Sequence, residues 1–155
     1  MVRGFEYVSD VYAKSGSRAN DIPLPSRGTT QAAGYDFFSP INATIFPGHT
    51  LLIWTDIKAK IPLEECLKIY PRSSMAIKRN LILKNSVGII DSDYYGNSDN
   101  DGNIAIPLWN IGDEPQTINK GERIAQGIFE KYYTSAKFIS GTIRDRSGGI
   151  GSSGL

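Results

Sequence analysis

The stretch "LLIWTDIKAKI", residues 51–61, decides the fold class of this chain. Bulky apolar and β-branched residues fill it, and its second half alternates polar with apolar side chains. This pattern is typical of a strand that lays one face on a core. We therefore predict a strand over residues 51–61.

Further segments share this character, and prolines lie between them or at their edges, where they limit helix length. These further predicted strands are residues 67–71, 81–85, 87–91, 103–110 and 123–133. One short helix is predicted at "SSMAIKRN", residues 73–80, with Ser73 or Ser74 as its N-cap. Many strands with so little helix predict an all-β fold: a sandwich, a jelly roll or a barrel.

Length and charge fit one ordinary globular domain. The chain has 155 residues, 40% of them hydrophobic and 21% charged, with a net charge of +1. So small a charge gives no reason to expect nucleic acid as a partner, and no apolar run is long enough to expect a membrane. Cys66 is the single cysteine and excludes an internal disulfide. We expect a cytoplasmic protein, or one of the host cytoplasm if its origin is phage or viral.

The last twelve residues, "RDRSGGIGSSGL" at 144–155, have a different composition. Glycines and serines cannot build a core, so we predict one domain over 1–143 and a flexible arm over 144–155. Gly149, Gly151 and Gly154 match the spelling GxGxxG, but the printed sequence has one residue after them and no room for the helix of a dinucleotide site. Their amides can still surround an anion, with Arg146 beside them.

Four carboxylates lie in "GIIDSDYYGNSDNDGN", residues 88–103: Asp91, Asp93, Asp99 and Asp101. A calcium loop, a solvated turn and a carboxylate that activates water are the three explanations. "NSDNDG", residues 97–102, begins like an EF-hand loop, but Leu108 stands where that loop requires a bidentate Glu. A polar hairpin loop is the better interpretation of this part.

A histidine-based catalytic triad is not expected. The single histidine, His49, lies in the turn-like segment "FPGHT" and is interpreted as a surface turn residue. If the chain is an enzyme, its base is then a carboxylate.

Five short segments carry a family resemblance when they are read in order. They are "AGYDF" (33–37), "PRSSM" (71–75), "NSVGIIDSDYYG" (85–96), "GERIAQ" (121–126) and "RSGGIGSSG" (146–154). This ordered set resembles the five motifs of the trimeric dUTPase family. The resemblance implies a jelly-roll-like β-clip domain with one short helix, assembled as a homotrimer whose C-terminal arm closes the active site.

The implied reaction is hydrolysis of dUTP to dUMP and pyrophosphate, with water attacking the α-phosphorus. The resemblance assigns Asp91 as the base and Mg²⁺ as the cofactor, bound mainly through substrate phosphates and water, so no protein ligand for the metal is named. The alternatives are a dCTP deaminase-related enzyme, or a nucleotide-responsive regulator that binds a protein partner through its arm or the loop at 97–103.

The remaining roles also follow from the resemblance. Phosphate contacts are implied for a first group of residues: Arg72, Ser73, Ser74, Gln126, Arg146, Gly148 and Gly149. Gln126 is implied to contact the α-phosphate or the attacking water. Asn85, Gly88 and Ile90 are implied to form the uracil pocket, and Tyr94 to pack under the sugar and exclude a ribose hydroxyl. Asp36 is implied to hold Arg72 in place.

One position departs from the family pattern. Ile150 follows the paired glycines where the family carries a phenylalanine that stacks on uracil. An aliphatic side chain covers a base without stacking on it, and Tyr95 and Trp109 are the candidate substitutes. Asp93, Asp99 and Asp101 are interpreted as turn and solvent-exposed residues, the last two in a loop longer than the common pattern.

Overall fold

The computed structural model describes residues 2–17, 21–135 and 148. Strands dominate this part of the chain, and one α-helix accompanies them. The strands are β1 (Gly4–Tyr7), β2 (Ser26–Arg27), β3 (Tyr35–Phe38), β4 (Ala43–Ile45), β5 (Thr50–Trp54), β6 (Ile57–Lys60), β7 (Glu65–Pro71), β8 (Leu81–Leu83), β9 (Gly88–Asp91), β10 (Ala105–Asn110), β11 (Gln116–Ile118) and β12 (Arg123–Lys131), and the helix is α1 (Ser73–Arg79). The all-β prediction is confirmed.

The strands pair antiparallel in small sheets, as expected for a jelly roll. The largest has the order β2-β3-β12-β7-β9, and a second has the order β5-β10-β8. Two strand pairs, β1-β6 and β11-β4, complete the described part. Phe37 and Leu67 from the five-stranded sheet and Ile53, Ile106 and Leu108 from the three-stranded sheet belong to one buried core cluster.

The strand predicted over 51–61 is two strands, which corrects the prediction. β5 ends at Trp54 and β6 begins at Ile57, and between them Asp56 has a φ of 57°. That left-handed conformation is one that aspartate tolerates better than most residues. The Asp56 amide donates to Oδ1 of Asn103 at 3.0 Å, which fixes the break. The two halves then join different partners, since β5 pairs with β10 and β6 with β1.

The N-cap of helix α1 is Arg72, which precedes both predicted N-cap residues. Arg72 has the extended N-cap conformation, and its carbonyl accepts from the amides of Met75 and Ala76 at 3.0 and 3.1 Å. Ser73 and Ser74 are therefore the first two helical residues, and the prediction that either caps the helix is wrong. Strand β7 runs to Pro71, so the chain turns into the helix immediately after it. No helix among the described residues is long and apolar enough to cross a membrane.

The polar loop at 97–103 is largely buried, against the expectation of a solvated turn. Asn97, Asn100 and Asn103 are 8%, 3% and 0% exposed. Asp101 is also bound, because its carboxylate lies 2.8 Å from Nζ of Lys58 and accepts from the amide of Ser9 at 2.9 Å. The assignment of Asp101 to solvation is wrong.

Candidate active site

The outer face of the five-stranded sheet carries two of the predicted site residues, Asp91 and Gln126. Leu67 and Ile69 of β7 face the core, so the alternate positions between them face outward. Asp91 on β9 pairs with Cys66, and Gln126 on β12 pairs with Tyr70, both outward positions of β7. The predicted base and the predicted phosphate-binding amide therefore lie on the same face.

An arginine and two serines form one end of this face. Nε of Arg72 lies 3.0 Å from Oδ1 of Asp36, the contact that the resemblance implied. The pair is mostly shielded, with side chains 23% and 14% exposed. Nη1 of Arg72 also reaches Oγ of Ser74 at 3.5 Å, so the guanidinium is held beside the helix start with Ser73 next to it. This cluster is suited to binding an anion bidentately.

Two neighbours of this cluster had no assigned role in binding. Arg123 received no role from the resemblance, yet its Nη1 lies 3.3 Å from Oδ2 of Asp36 and its carbonyl accepts from Arg72 at 3.4 Å. Asp36 thus holds two arginines at once. The position of Arg123 in the quoted motif "GERIAQ" was the available signal.

Gly34 is the second residue that the analysis of the sequence left unassigned. A Cβ atom at position 34 would lie 2.6 Å from Oε1 of Gln126 and 3.3 Å from its Cβ. Gln126 in turn donates to the carbonyl of Pro71 at 3.2 Å. Glycine is therefore required for the amide of Gln126 to lie where it does. Its place in the motif "AGYDF" was the signal.

Asp91 forms the other end of the face. It is the last residue of β9, and a short 3-10 helix, Ser92–Tyr94, follows it directly. Its side chain is half-buried, and across the sheet it faces Cys66. Burial, with smaller contributions from nearby carboxylates that include Asp91, raises the pKa of the Cys66 thiol, so this cysteine is neutral at neutral pH.

The predicted uracil residues lie at the start of β9. A Cβ at Gly88 would lie 3.2 Å from Cβ of Ile69 and 3.6 Å from Nδ2 of Asn85, so the glycine lets β9 lie close to β7. Ile90 packs against the core, whereas Ile89 is 54% exposed. The backbone of this segment, more than the side chain of Ile90, is available to a ligand.

Tyr94 is buried in the single chain, with 6% of its surface exposed. Its hydroxyl donates to the carbonyl of Asn103 at 3.0 Å and accepts from Nδ2 of Asn100 at 2.8 Å. The hydroxyl therefore points into the fold. Only the small open part of the ring is left for the predicted contact with a sugar.

The two ends of the face are far apart within one chain. Asp91 and Gln126 are separated by two strand spacings and by the four residues from Cys66 to Tyr70. At roughly 4.8 Å per strand and 3.3 Å per residue, their Cα atoms lie about 16 Å apart. At that distance, one chain does not bring Asp91 and Gln126 together.

An ion-paired cluster fills the space between the two ends. Nζ of Lys68 lies 2.7 Å from Oε2 of Glu130, and the hydroxyl of Tyr70 donates to Oε1 at 2.9 Å. The hydrogen bond from Lys68, followed by that from Tyr70, lowers the pKa of Glu130. Glu130 is therefore ionised and bound to Lys68 and Tyr70.

Within the described ranges, no three His, Cys, Asp or Glu side chains come together as a metal site. Asp91 and Asp36 lie at opposite ends of the sheet face, and the carboxylate of Asp36 is engaged by arginines. The donors present therefore fit a hydrated cation that arrives with phosphate oxygens better than a cation held by protein ligands alone.

The predicted arm lies mostly outside the described residues. Arg146 and Gly149 belong to the part that the structure does not describe, as does Ile150. Gly148 is described and buried. The division into a domain over 1–143 and an arm over 144–155 stays a prediction.

Fold and site together define an all-β jelly-roll protein with Asp91 at one end of its outer sheet face and the ion pair of Asp36 with Arg72 at the other. The family model described as dUTPase matches residues 20–154. A deoxyuridine 5'-triphosphate nucleotidohydrolase of Lactococcus lactis is 40% identical over 153 residues, which are 99% of this chain and 98% of the relative. This chain belongs to the dUTPase family.

Solved structures agree with this assignment. The crystal structure of dUTPase from Streptococcus mutans is similar with a TM-score of 0.75 and 36% identity, over 86% of this chain and 99% of that one. The dUTPase of Staphylococcus bacteriophage 80alpha, described as controlling transfer of virulence genes by a G protein-like mechanism, has a TM-score of 0.70 at 23% identity, over 90% and 96% of the two chains. At that identity the phage protein supports the fold alone.

Proposed function

We propose that this protein hydrolyses dUTP to dUMP and pyrophosphate, by attack of water on the α-phosphorus. Membership of the dUTPase family over residues 20–154 is the observation that carries the proposal. The outward carboxylate of Asp91 accepts a proton from the attacking water and orients it. A carboxylate is a weak base, and it suffices where the water is held in line and the leaving group is neutralised.

The phosphate chain is bound by the cluster at the start of α1. Asp36 holds the guanidinium of Arg72 at 3.0 Å, which leaves its outer nitrogens to bind phosphate oxygens beside Ser73 and Ser74. Gln126, fixed against the carbonyl of Pro71, contacts the α-phosphate or the water. The held geometry reduces the entropy that binding costs.

The base and the sugar bind at the start of β9. Asn85 and the backbone around Gly88 and Ile90 read the uracil edge, and, as the resemblance implies, the turn they form excludes a methyl group on the base. The open part of the Tyr94 ring lies against the deoxyribose. Its hydroxyl is bound inward and takes no part in recognition.

The working site is shared between copies of the chain in a homotrimer. Support comes from the separation of about 16 Å between Asp91 and Gln126, which exceeds the reach of one α-phosphate and its attacking water. Asp91 of one copy would then face Arg72 and Gln126 of a second copy. Each site would be complete only in the assembly.

Magnesium is the proposed cofactor, bound mainly through phosphate oxygens and water, and when bound it neutralises charge on the phosphates. Two protein groups would act beside the ion. Asp91 would hold the attacking water, and Arg72 would hold the phosphates to which the ion binds. Arg146, Gly148 and Gly149 of the arm are proposed to cover the triphosphate and exclude water.

Pyrophosphate release from purified protein tests the function. With Mg²⁺ present, dUTP is compared with dTTP, UTP and dCTP, and the assay is repeated with EDTA in place of the metal. Release from dUTP alone, abolished by EDTA, is expected. Ammonia release from dCTP would instead identify the deaminase-related alternative, and no release from any nucleotide would favour a regulatory role.

A regulatory protein partner stays a prediction. In the loop at 97–103 the asparagines face inward, and Ser98 and Asp99 are its exposed residues. Partner binding that persists in Asp91→Asn protein and disappears when Ser98 and Asp99 are replaced would support it.

A further inference from the structure

We propose that Asn100 is a positioning residue: through the Tyr94 hydroxyl, it holds the turn that carries Asp91. The proposal deepens the proposed function and rests on it for the role of Asp91. Asn100 lies in the loop at 97–103, outside the five segments that carry the family resemblance. Nothing in its sequence context points to catalysis.

The contact between Asn100 and Tyr94 is direct and buried. Nδ2 of Asn100 donates to the hydroxyl of Tyr94 at 2.8 Å, and the two residues are 3% and 6% exposed. The hydroxyl in turn donates a hydrogen bond to the carbonyl of Asn103 at 3.0 Å. A tyrosine held at its far end by two buried hydrogen bonds has little freedom to tilt or shift.

Asn100 is itself held by the loop. Its Oδ1 accepts from Nδ2 of Asn97 at 2.8 Å and from the amide of Gly102 at 3.0 Å, while its own amide donates to Oδ1 of Asn97 at 3.1 Å. Asn97 also donates from Nδ2 to the carbonyl of Tyr94 at 2.7 Å. The loop therefore forms hydrogen bonds with both the backbone and the side chain of Tyr94.

The loop is anchored on its other side to the domain. Asp101 binds Lys58 of β6 and the amide of Ser9, and Nδ2 of Asn103 donates to Oδ1 of Asp56 at 2.9 Å. The hydroxyl of Tyr12 donates to the carbonyl of Ser98 at 3.1 Å. The loop that holds Tyr94 is thus anchored to β6 and to the N-terminal segment. Neither of these parts of the fold contains a predicted site residue.

The consequence for chemistry follows from chain geometry. Tyr94 is the last residue of the 3-10 helix Ser92–Tyr94, whose first residue follows Asp91. One turn of helix is too short to absorb a displacement of its end without moving its start. Because in-line attack is sensitive to shifts on the order of 1 Å, a loosened Tyr94 should slow the chemical step more than it weakens binding.

The test compares two isosteric changes at buried asparagines. Asn100→Asp keeps the acceptor for Gly102 and removes the donor to Tyr94. Asn110→Asp is the matched control: Asn110 is 0% exposed, accepts from the amide of Gly112 and donates to the carbonyls of Ile45 and Glu114, far in the chain from Asp91. Both variants should lose stability, because Asn100→Asp leaves the Tyr94 hydroxyl without its donor and Asn110→Asp leaves two carbonyl groups without theirs.

The readout is kcat per active site. The number of intact sites is measured by titration with α,β-imido-dUTP. Dividing the rate by this number prevents a smaller amount of folded protein from being mistaken for a lower kcat. We expect kcat per site to fall about tenfold in Asn100→Asp, with KM changed less than about threefold, and to stay at the wild-type value in Asn110→Asp. In a Tyr94→Phe background, Asn100→Asp should have little further effect.

Hydrogen exchange of the peptide around residues 91–96 gives a readout besides activity. Faster exchange there in Asn100→Asp, and not in Asn110→Asp, is expected. Wild-type kcat per site and unchanged exchange in Asn100→Asp would overturn the inference while leaving the proposed function intact. If the wild-type protein releases no pyrophosphate, the proposed function fails, and hydrogen exchange alone decides the positioning role.

Discussion

Asp36 binds Arg72 and Arg123 with its two carboxylate oxygens, at 3.0 Å and 3.3 Å. It stands on β3 opposite Gln126 of β12, so one acidic side chain organises the phosphate-binding end of the sheet face. The pair with Arg72 is better shielded than that with Arg123, whose side chain is 50% exposed. Orientation of Arg72 is therefore the main consequence of Asp36.

Replacing Asp36 by asparagine should lower kcat/KM for dUTP by about tenfold, because Arg72 keeps its charge and loses its fixed direction. Glu122→Gln is the control, since Glu122 binds Arg79 at the other end of α1. Steady-state kinetics with melting temperatures checks both variants. A loss of activity in Glu122→Gln as large as in Asp36→Asn would show that any weakened ion pair near α1 has the same effect.

Asp91→Asn should abolish turnover while dUTP still binds, because the change keeps the shape of the side chain and removes the base. Pyrophosphate release and calorimetric titration with dUTP measure the two properties. Asp93→Asn, an exposed aspartate in the same turn, should keep turnover within about twofold of the wild type. Normal turnover by Asp91→Asn protein would refute the mechanism.

Mixing two inactive variants tests whether the site is shared. If Asp91 and Arg72 of one site come from different copies, Asp91→Asn and Arg72→Ala subunits reassembled together should regain activity. With random 1:1 assembly, about a quarter of the sites combine an intact Asp91 with an intact Arg72. Recovery to about 25% of wild-type activity is expected after denaturation and joint refolding. The control is a mixture of the two variants after each has been refolded separately, and it should stay inactive. If joint refolding restores no activity either, the whole site lies within one chain.

Deleting residues 146–155 should reduce turnover by at least about a hundredfold, because the proposed lid and its arginine are removed. The domain should stay folded, and its melting temperature should lie within a few degrees of that of the full chain. This corresponds to a loss of at most about 1 kcal/mol in the free energy of unfolding. Arg146→Ala removes the charge of the arginine and keeps the rest of the arm, so it separates the effect of the charge from the effect of excluding water. A domain that melts below the assay temperature after the deletion would show that the arm is structural.

The ion pair between Asp101 and Lys58 should make stability fall in acid. Burial opposes ionisation of Asp101, but the hydrogen bonds from Lys58 and Ser9 outweigh it and lower its pKa. A lowered pKa stabilises the fold above the unfolded value of about 3.9, and this stabilisation is lost as the pH falls below that value toward the folded pKa.

Asp101→Asn removes this contribution at every pH. The wild type should exceed the variant by about 1–2 kcal/mol near neutral pH, since the pair is mostly buried, and the difference should shrink below about pH 4. Urea unfolding between pH 3 and 7 measures it. A difference that is constant over this range would mean that the aspartate charge contributes nothing.

Strands with a clear apolar pattern were predictable from the sequence, even where they are short. The predicted segments contain β6, β8, β9, β10 and β12, and they overlap β5 and β7, which begin one and two residues earlier than predicted. β2 and β4, of two and three residues, were missed because they give no such pattern. The break at Asp56 was missed because alternation continues through it, and what ends the strand there is an amide contact from Asn103, distant in sequence.

One contact between predicted site residues was predictable from the motifs, and the burial of the loop at 97–103 was not. The contact of Asp36 with Arg72 was expected, and the structure contains it. The buried state of Asn97 and Asn100 was missed, because asparagine in a run with aspartate and glycine usually indicates a solvated turn. Here each amide finds its partners in other amides and in the backbone, so burial costs little.

Gly34 shows how selection can act on a position that has no functional group. Any other amino acid would place a Cβ atom 2.6 Å from Oε1 of Gln126 and 3.3 Å from its Cβ, so the Gln126 side chain would have to shift. That shift would also disturb the hydrogen bond from Gln126 to the carbonyl of Pro71. In a saturation library selected for growth on this activity, position 34 should therefore favour glycine strongly, although glycine has no side chain to offer a ligand.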